Sequence, residues 1–192
     1  MFKPAKKVSG GYNIQLTEPL KFTLPLFCPF GIDIESGWKW SVKFYVQIRP
    51  DSTKKHDILC YNFLSQMLEL ESHIQTYLKQ QFPNTFKEYF VVQTFLGSAR
   101  KQDVIDGFIN DEIEDTGCFF RAKVPVKNNI AETSYTGSGK WETKRTLVPD
   151  DIPEKTRVLV DIECDSWWIT ETKNGKSVGY TITLKHVREL QS

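Results

Sequence analysis

Two segments of the chain set cations and aromatic rings on the same alternating positions. Lys39, Lys43, Tyr45 and Arg49 occupy odd positions of residues 38–49, and Phe119, Arg121 and Lys123 occupy odd positions of residues 118–126. A basic group beside a ring supplies the two functions that an unpaired nucleic-acid strand requires. The cation meets phosphate, and the ring face stacks on a base. Stacking contributes roughly 1–3 kcal/mol per base, and counterion release adds an attraction that ignores sequence. A third cluster, Lys140, Trp141, Lys144 and Arg145, repeats the combination inside a polar stretch. It is expected to fold over the other two.

The elements that carry these residues follow from periodicity. Successive strand side chains point to opposite faces, so Trp38, Trp40, Val42, Phe44, Val46 and Ile48 form one apolar face behind the cations. Cys118, Phe120, Ala122, Val124 and Val126 do the same in the second segment. Between them the period changes. Phe63, Leu64, Met67, Leu70, Ile74, Tyr77 and Leu78 recur at helical spacing, which predicts a helix over residues 57–82 that Pro83-Asn84 stops.

Upstream, residues 12–17 and 20–27 predict two short strands separated at Pro19, with the nearby prolines fitting edges or ends. Residues 89–96 fit a buried strand or the end of a helical excursion. Downstream, Val158, Val160, Ile162 and Cys164 alternate with Leu159, Asp161, Glu163 and Asp165, and Trp167-Trp168-Ile169 follows. Lys173-Asn174-Gly175-Lys176 is a hairpin turn into a strand over 177–187, with Val178, Tyr180, Ile182 and Leu184 inward.

The whole chain, 1–192, is expected to form one domain. Its parts are a flexible lead-in at 1–11, a core over 12–190, an acidic excursion at 97–117 and a flexible basic loop at 127–150. The expected class is mainly β with one long helix (α+β). The expected architecture is a partly open barrel of five to seven strands with long loops, of which the oligonucleotide-binding (OB) barrel is the best-known example.

Composition narrows the chemistry. A net charge of +1, with 40% hydrophobic and 26% charged residues, is ordinary for a globular protein and excludes a wholly basic, histone-like chain. Charge is nonetheless segregated. Lys39, Lys43, Arg49, Lys54 and Lys55 stand against Asp51 alone in residues 38–55, whereas residues 103–115 hold six acids and no base. That separation favours a directed field. The acidic stretch fails the calcium-loop pattern, because Ile105 and Gly107 stand where ligands belong.

Four scattered cysteines without a CxxC pair are expected to be reduced and mostly buried, which fits a cytoplasmic setting. No apolar run is long enough for a signal peptide or a membrane span. No catalytic residue, metal site or cofactor is expected. Gly137-Ser138-Gly139-Lys140 fails as a phosphate loop because Trp141 and Ser134 fill its defining positions. His56, His73 and His186 lack partners at metal-site spacing. Asp161, Glu163 and Asp165 share a strand face and are expected to mark an exposed edge that discourages sheet association, not a metal site.

The order of these parts carries a resemblance. Pro29-Phe30-Gly31, the two-faced strand, the central helix, Lys123-Val124-Pro125-Val126-Lys127, Val158-Leu159-Val160-Asp161-Ile162, Trp168-Ile169 and the closing run from Val178 to Val187 follow one another. This layout resembles the OB-fold single-stranded-DNA-binding proteins of phages and large DNA viruses, over most of residues 12–190. The resemblance implies a viral protein of DNA replication and DNA recombination that coats exposed strands without catalysis. Its implied partners are single-stranded DNA, or RNA, and other replication proteins, with no membrane. Members often end in an acidic tail, and this chain ends Arg188-Glu189-Leu190-Gln191-Ser192. The competing expectation is a β-rich interaction or virion-structural protein that binds no nucleic acid.

Overall fold

A computed structural model describes residues 1–49, 51–84, 116–138, 143–173 and 175–190. The segment at 89–96, expected as a buried strand or the end of a helical excursion, the acidic stretch at 103–115 and the pair Lys140 and Trp141 lie outside the described residues. Strands β1 (Lys6–Val8), β2 (Gly11–Cys28), β3 (Ile32–Ser36) and β4 (Lys39–Ile48) precede helix α1 (Lys55–Gln81). Strands β5 (Thr116–Val124), β6 (Val126–Lys127), β7 (Ile130–Ala131), β8 (Ser134–Thr136), β9 (Lys144–Thr146), β10 (Thr156–Thr172) and β11 (Gly175–Glu189) follow it. The described chain is mostly strand with a single helix, as expected.

Five strands form a ring. β2 pairs with β10, β10 with β11, β11 with β5 and β5 with β4, and β4 returns to β2. Three of these seams are long antiparallel ladders. The other two are each registered at one pair: Phe27 opposite Tyr45 between β2 and β4, and Thr183 opposite Lys123 in the parallel contact of β11 with β5. Inside the ring lie Leu24, Leu26, Val42, Phe44, Val46, Ala122, Val160, Ile162, Tyr180 and Ile182, all buried. The alternation of β4, β5, β10 and β11 turns these residues inward and their charged neighbours outward.

Helix α1 packs on the ring through contacts with several of its strands. Phe63 meets Phe22 of β2 at 4.8 Å and Phe120 of β5 at 5.3 Å between ring centroids. Tyr77 meets Trp167 of β10 at 5.2 Å, and the Tyr180 hydroxyl of β11 donates to the buried Glu71 carboxylate at 3.0 Å. The apolar stripe legible in the sequence is thus consumed by the core. Cys28, Cys60 and Cys164 are free and buried, and burial pushes the Cys60 thiol up to about 11 and the Cys164 thiol up to about 12.

Several expectations change. The two segments expected at 12–17 and 20–27 are one strand, β2 (Gly11–Cys28), because the pairing with β10 steps from Leu20–Cys164 to Gln15–Ser166 and Pro19 falls within the irregularity. A proline lacks the N–H that a regular ladder would use there. The same bulge on β10 switches the inward face from Cys164 to Trp167, which is fully buried. β10 is a central strand between β2 and β11, so Asp161, Glu163 and Asp165 do not mark a sheet edge. Edge or centre is decided by partners far away in the chain.

Residues 1–11, expected as a flexible lead-in, are tied along β2. Lys3 N–H donates to the Gln15 carbonyl at 2.8 Å, and the Phe2 ring lies 5.6 Å from both Tyr77 and Trp167. Residues 127–150, expected as a flexible loop, hold two small hairpins. Asn128 and Asn129 take φ of 53° and 62° at the β6–β7 turn, a left-handed pair that Asn tolerates. The β8–β9 hairpin attaches to β11 through β8, and Tyr135 and Leu147 are buried.

Candidate nucleic-acid interface

The β4–β5 ladder brings the two basic-aromatic strand faces side by side. Ser41 stands opposite Lys123, Lys43 opposite Arg121, and Tyr45 opposite Phe119. Because Tyr45 also pairs with Phe27, and Phe27 with Arg157, one outward row crosses four strands: Arg157, Phe27, Tyr45, Phe119. The Tyr45 and Phe119 centroids are 5.1 Å apart. The neighbouring row holds Lys43 and Arg121. Lys43 Nζ lies 4.7 Å from the Phe119 centroid and 5.7 Å from that of Phe30, a ring that is 62% exposed. Phe30 precedes Gly31, whose φ of 72° makes the tight turn into β3.

At one end of this face a cleft of about 750 Å³ opens between the β3–β4 hairpin and β5, with β11 contributing to its lining. Lys39, Ser41, Arg121 and Lys123 line it together with Asp33, Glu35, Trp38 and Trp40. Arg121 donates to Asp33 at 3.0 Å and to the Ser41 hydroxyl at 2.7 Å, and Lys39 pairs with Glu35 at 2.7 Å. Both ion pairs are well exposed, a setting in which such pairs contribute about 0–1 kcal/mol. Both cations are therefore open enough to face a second anion while they stay beside their carboxylates.

Trp38 corrects the sequence reading. Expected on the inward face, it sits at the tip of the β3–β4 turn, where strand alternation has stopped, and is 63% exposed. Its Nε1–H donates to the Ser36 hydroxyl at 3.2 Å, and the turn is braced by the Asn129 N–H donating to the Gly37 carbonyl at 3.1 Å.

At the other end, Tyr45, Gln47 and Arg49 line a smaller hollow of about 270 Å³ together with His56, Asp57 and Arg157. Arg49 lies 3.9 Å from Asp57, whose carboxylate also accepts from the Ser52 hydroxyl. From Lys39 to Arg49 the face runs about 33 Å at the strand rise. Of the expected site residues, Lys39, Lys43, Tyr45, Arg49, Phe119, Arg121 and Lys123 thus share one face.

Lys144 and Arg145 do not join them. They lie on β9, whose partner β8 pairs with β11 at residues 186–188. Arg145 is engaged by both oxygens of Asp151, which holds its guanidinium pKa up, and stacks 4.7 Å from the Tyr135 centroid. Nearby, His186 has both ring nitrogens engaged, by Ser134 Oγ at 2.6 Å and Thr136 Oγ1 at 3.1 Å. Burial is the largest cause of its lowered pKa. Lys144 and Arg188 add to the lowering and Asp161 opposes it.

The sequence reading passed over Phe27, Phe30, Trp38 and Arg157. The available signal for Phe27 was parity, since Leu24, Leu26 and Cys28 face inward around it. Among the described residues no group of three or more His, Cys, Asp or Glu side chains is placed to hold a metal ion. Among the same residues no helix is long and apolar enough to cross a membrane. No family model matches the chain, and neither the curated proteins nor the solved structures contain a match.

Proposed function

We propose that the protein binds single-stranded DNA without sequence dependence, through the outward face of β4 and β5, in the manner of an OB-type barrel serving replication or recombination. The observation that carries this reading is the register of the β4–β5 ladder. It sets Tyr45 beside Phe119 and Lys43 beside Arg121, so stacking surfaces and phosphate partners alternate along one track. Support for the barrel comes from the five-strand ring with its parallel β11–β5 contact. No covalent step is required of any residue, since the arrangement does its work by holding a strand. DNA is preferred to RNA on the layout of the chain, and the same face would accept either.

The test is a tryptophan-fluorescence titration of the full chain with oligo-dT at low and moderate salt, repeated with duplex DNA as competitor. Saturable quenching that weakens with salt and resists the duplex is the expected result. An unchanged signal at low salt would return the protein to the alternative, a β-rich interaction or virion-structural role.

A further inference from the structure

We propose that the cleft beside the β3–β4 turn seats one nucleotide of the bound strand and favours bases that carry an exocyclic amine. This rests on reading the β4–β5 face as a single-strand interface and adds a chemical preference at one end of it. The cleft, about 750 Å³, falls in the size range of small-molecule sites. It combines three chemistries in one place. The exposed Trp38 ring, held by its hydrogen bond to Ser36 and by the braced turn, is a preset stacking surface. Lys123 is exposed and has no ion pair among the described residues, which leaves it for phosphate. Asp33 and Glu35 stand on β3 where a surface built for phosphate alone would have no use for carboxylates.

Those carboxylates are half engaged. Asp33 gives one oxygen to Arg121 and Glu35 gives one to Lys39, and among the described residues the remaining oxygen of each has no donor. The paired cations offset the carboxylate charge, so an approaching strand is not repelled, and the free oxygens remain strong acceptors. A carboxylate accepts from the N4 amine of cytosine, whereas thymine presents a carbonyl at that position. Trp40 also lines the cleft, but it is only 5% exposed and its indole N–H, which has no acceptor among the described residues, is buried behind the lining.

The experiment compares oligo-dC with oligo-dT of equal length, at fixed salt and pH 7.5, by anisotropy of a labelled strand. Both bases are pyrimidines that differ in the group at C4 and in the C5 methyl of thymine. The methyl contributes alike to the parent chain and to a variant without the carboxylates, so the change in the dC-to-dT ratio reports the amine. The expected result is that dC binds about fivefold tighter than dT. The double variant Asp33→Ala/Glu35→Ala should bring the ratio to near one while still binding both strands. Both side chains are more than half exposed, so the fold tolerates their removal. Trp38→Ala should weaken both strands. Equal binding of dC and dT by the parent chain, or a ratio that survives the double variant, overturns the amine preference and leaves the interface standing. Failure of the parent chain to bind either strand overturns both readings.

Discussion

Lys43 and Arg121 stand directly opposite each other on the solvent face of the β4–β5 ladder. Like charges in that position oppose pairing. The structure eases the conflict by turning them apart, Lys43 over the Phe119 ring and Arg121 toward Asp33 and Ser41. A fold selected for stability alone would have little reason to keep two cations in register, whereas a polyanion laid across them gains from both.

Lys43→Ala should therefore separate stability from binding. It relieves the cross-strand repulsion and loses the cation–ring contact, each worth up to about 1 kcal/mol, so urea denaturation should show a net change within about 1 kcal/mol. Affinity for oligo-dT should fall, and the slope of log K against log salt should flatten by about 0.7 for the lost phosphate contact. A parent-like slope would remove Lys43 from the interface.

Tyr45→Ala should weaken binding to every sequence by roughly 1–3 kcal/mol, with an unchanged salt slope. Tyr45 lies between Phe27 and Phe119, so Tyr45→Phe should retain most of the affinity. Titrations of both variants against dT and mixed-sequence strands would check this. Loss confined to one sequence would contradict a stacking role.

Tyr180→Phe addresses the fit of helix to ring. It removes the hydroxyl that donates to buried Glu71 and should cost about 1–3 kcal/mol in urea denaturation. Nucleic-acid affinity should be unchanged at temperatures where the variant is folded, because neither residue reaches the outer face of β4 and β5. A stability equal to that of the parent chain would show that the bond contributes nothing net.

His186 predicts the direction of a pH effect. Its pKa in the folded state is held below the ordinary value of about 6.5 by burial, with Lys144 and Arg188 adding to the lowering and Asp161 opposing it. The unfolded chain therefore takes up the proton first as pH falls. Stability should decline as pH drops through about 6.5 and continue to decline until the folded pKa is passed. Melting temperatures at pH 7.5, 6.5 and 5.5 should fall less steeply for His186→Gln than for the parent chain, and equal slopes would assign the pH dependence to other groups.

The sequence disclosed those features whose cause is local. Alternation placed Val42 to Ile48 and Val178 to Leu184 on their inward faces, and the 3.6-residue period located the helix to within two residues at its start and one at its end. Features set by distant partners were hidden. Pro19 breaks the local pattern of β2, yet a bulge opposite Cys164 and Ser166 carries the strand through it. Polar composition over 127–150 concealed hairpins that are held by β11 and by the β3–β4 turn. At the interface, adjacency of residues 39–49 and 119–123 was an inference from matching faces, while the acids that engage Lys39 and Arg121 sit on β3, a strand with no clear sequence signal. Trp38 was misplaced because parity was extended one turn too far.

The single-pair seams of the ring have a mechanical consequence. Local opening costs least where the fewest ladder bonds must break, so the ring should breathe along the β2–β4 and β11–β5 lines while the long ladders stay closed. Phe27 and Tyr45 flank the first of these lines and Lys123 flanks the second. A polymer gripping the outer face would then act as a clasp across both slits, and amide protons beside them would exchange more slowly in the loaded protein than in the free one.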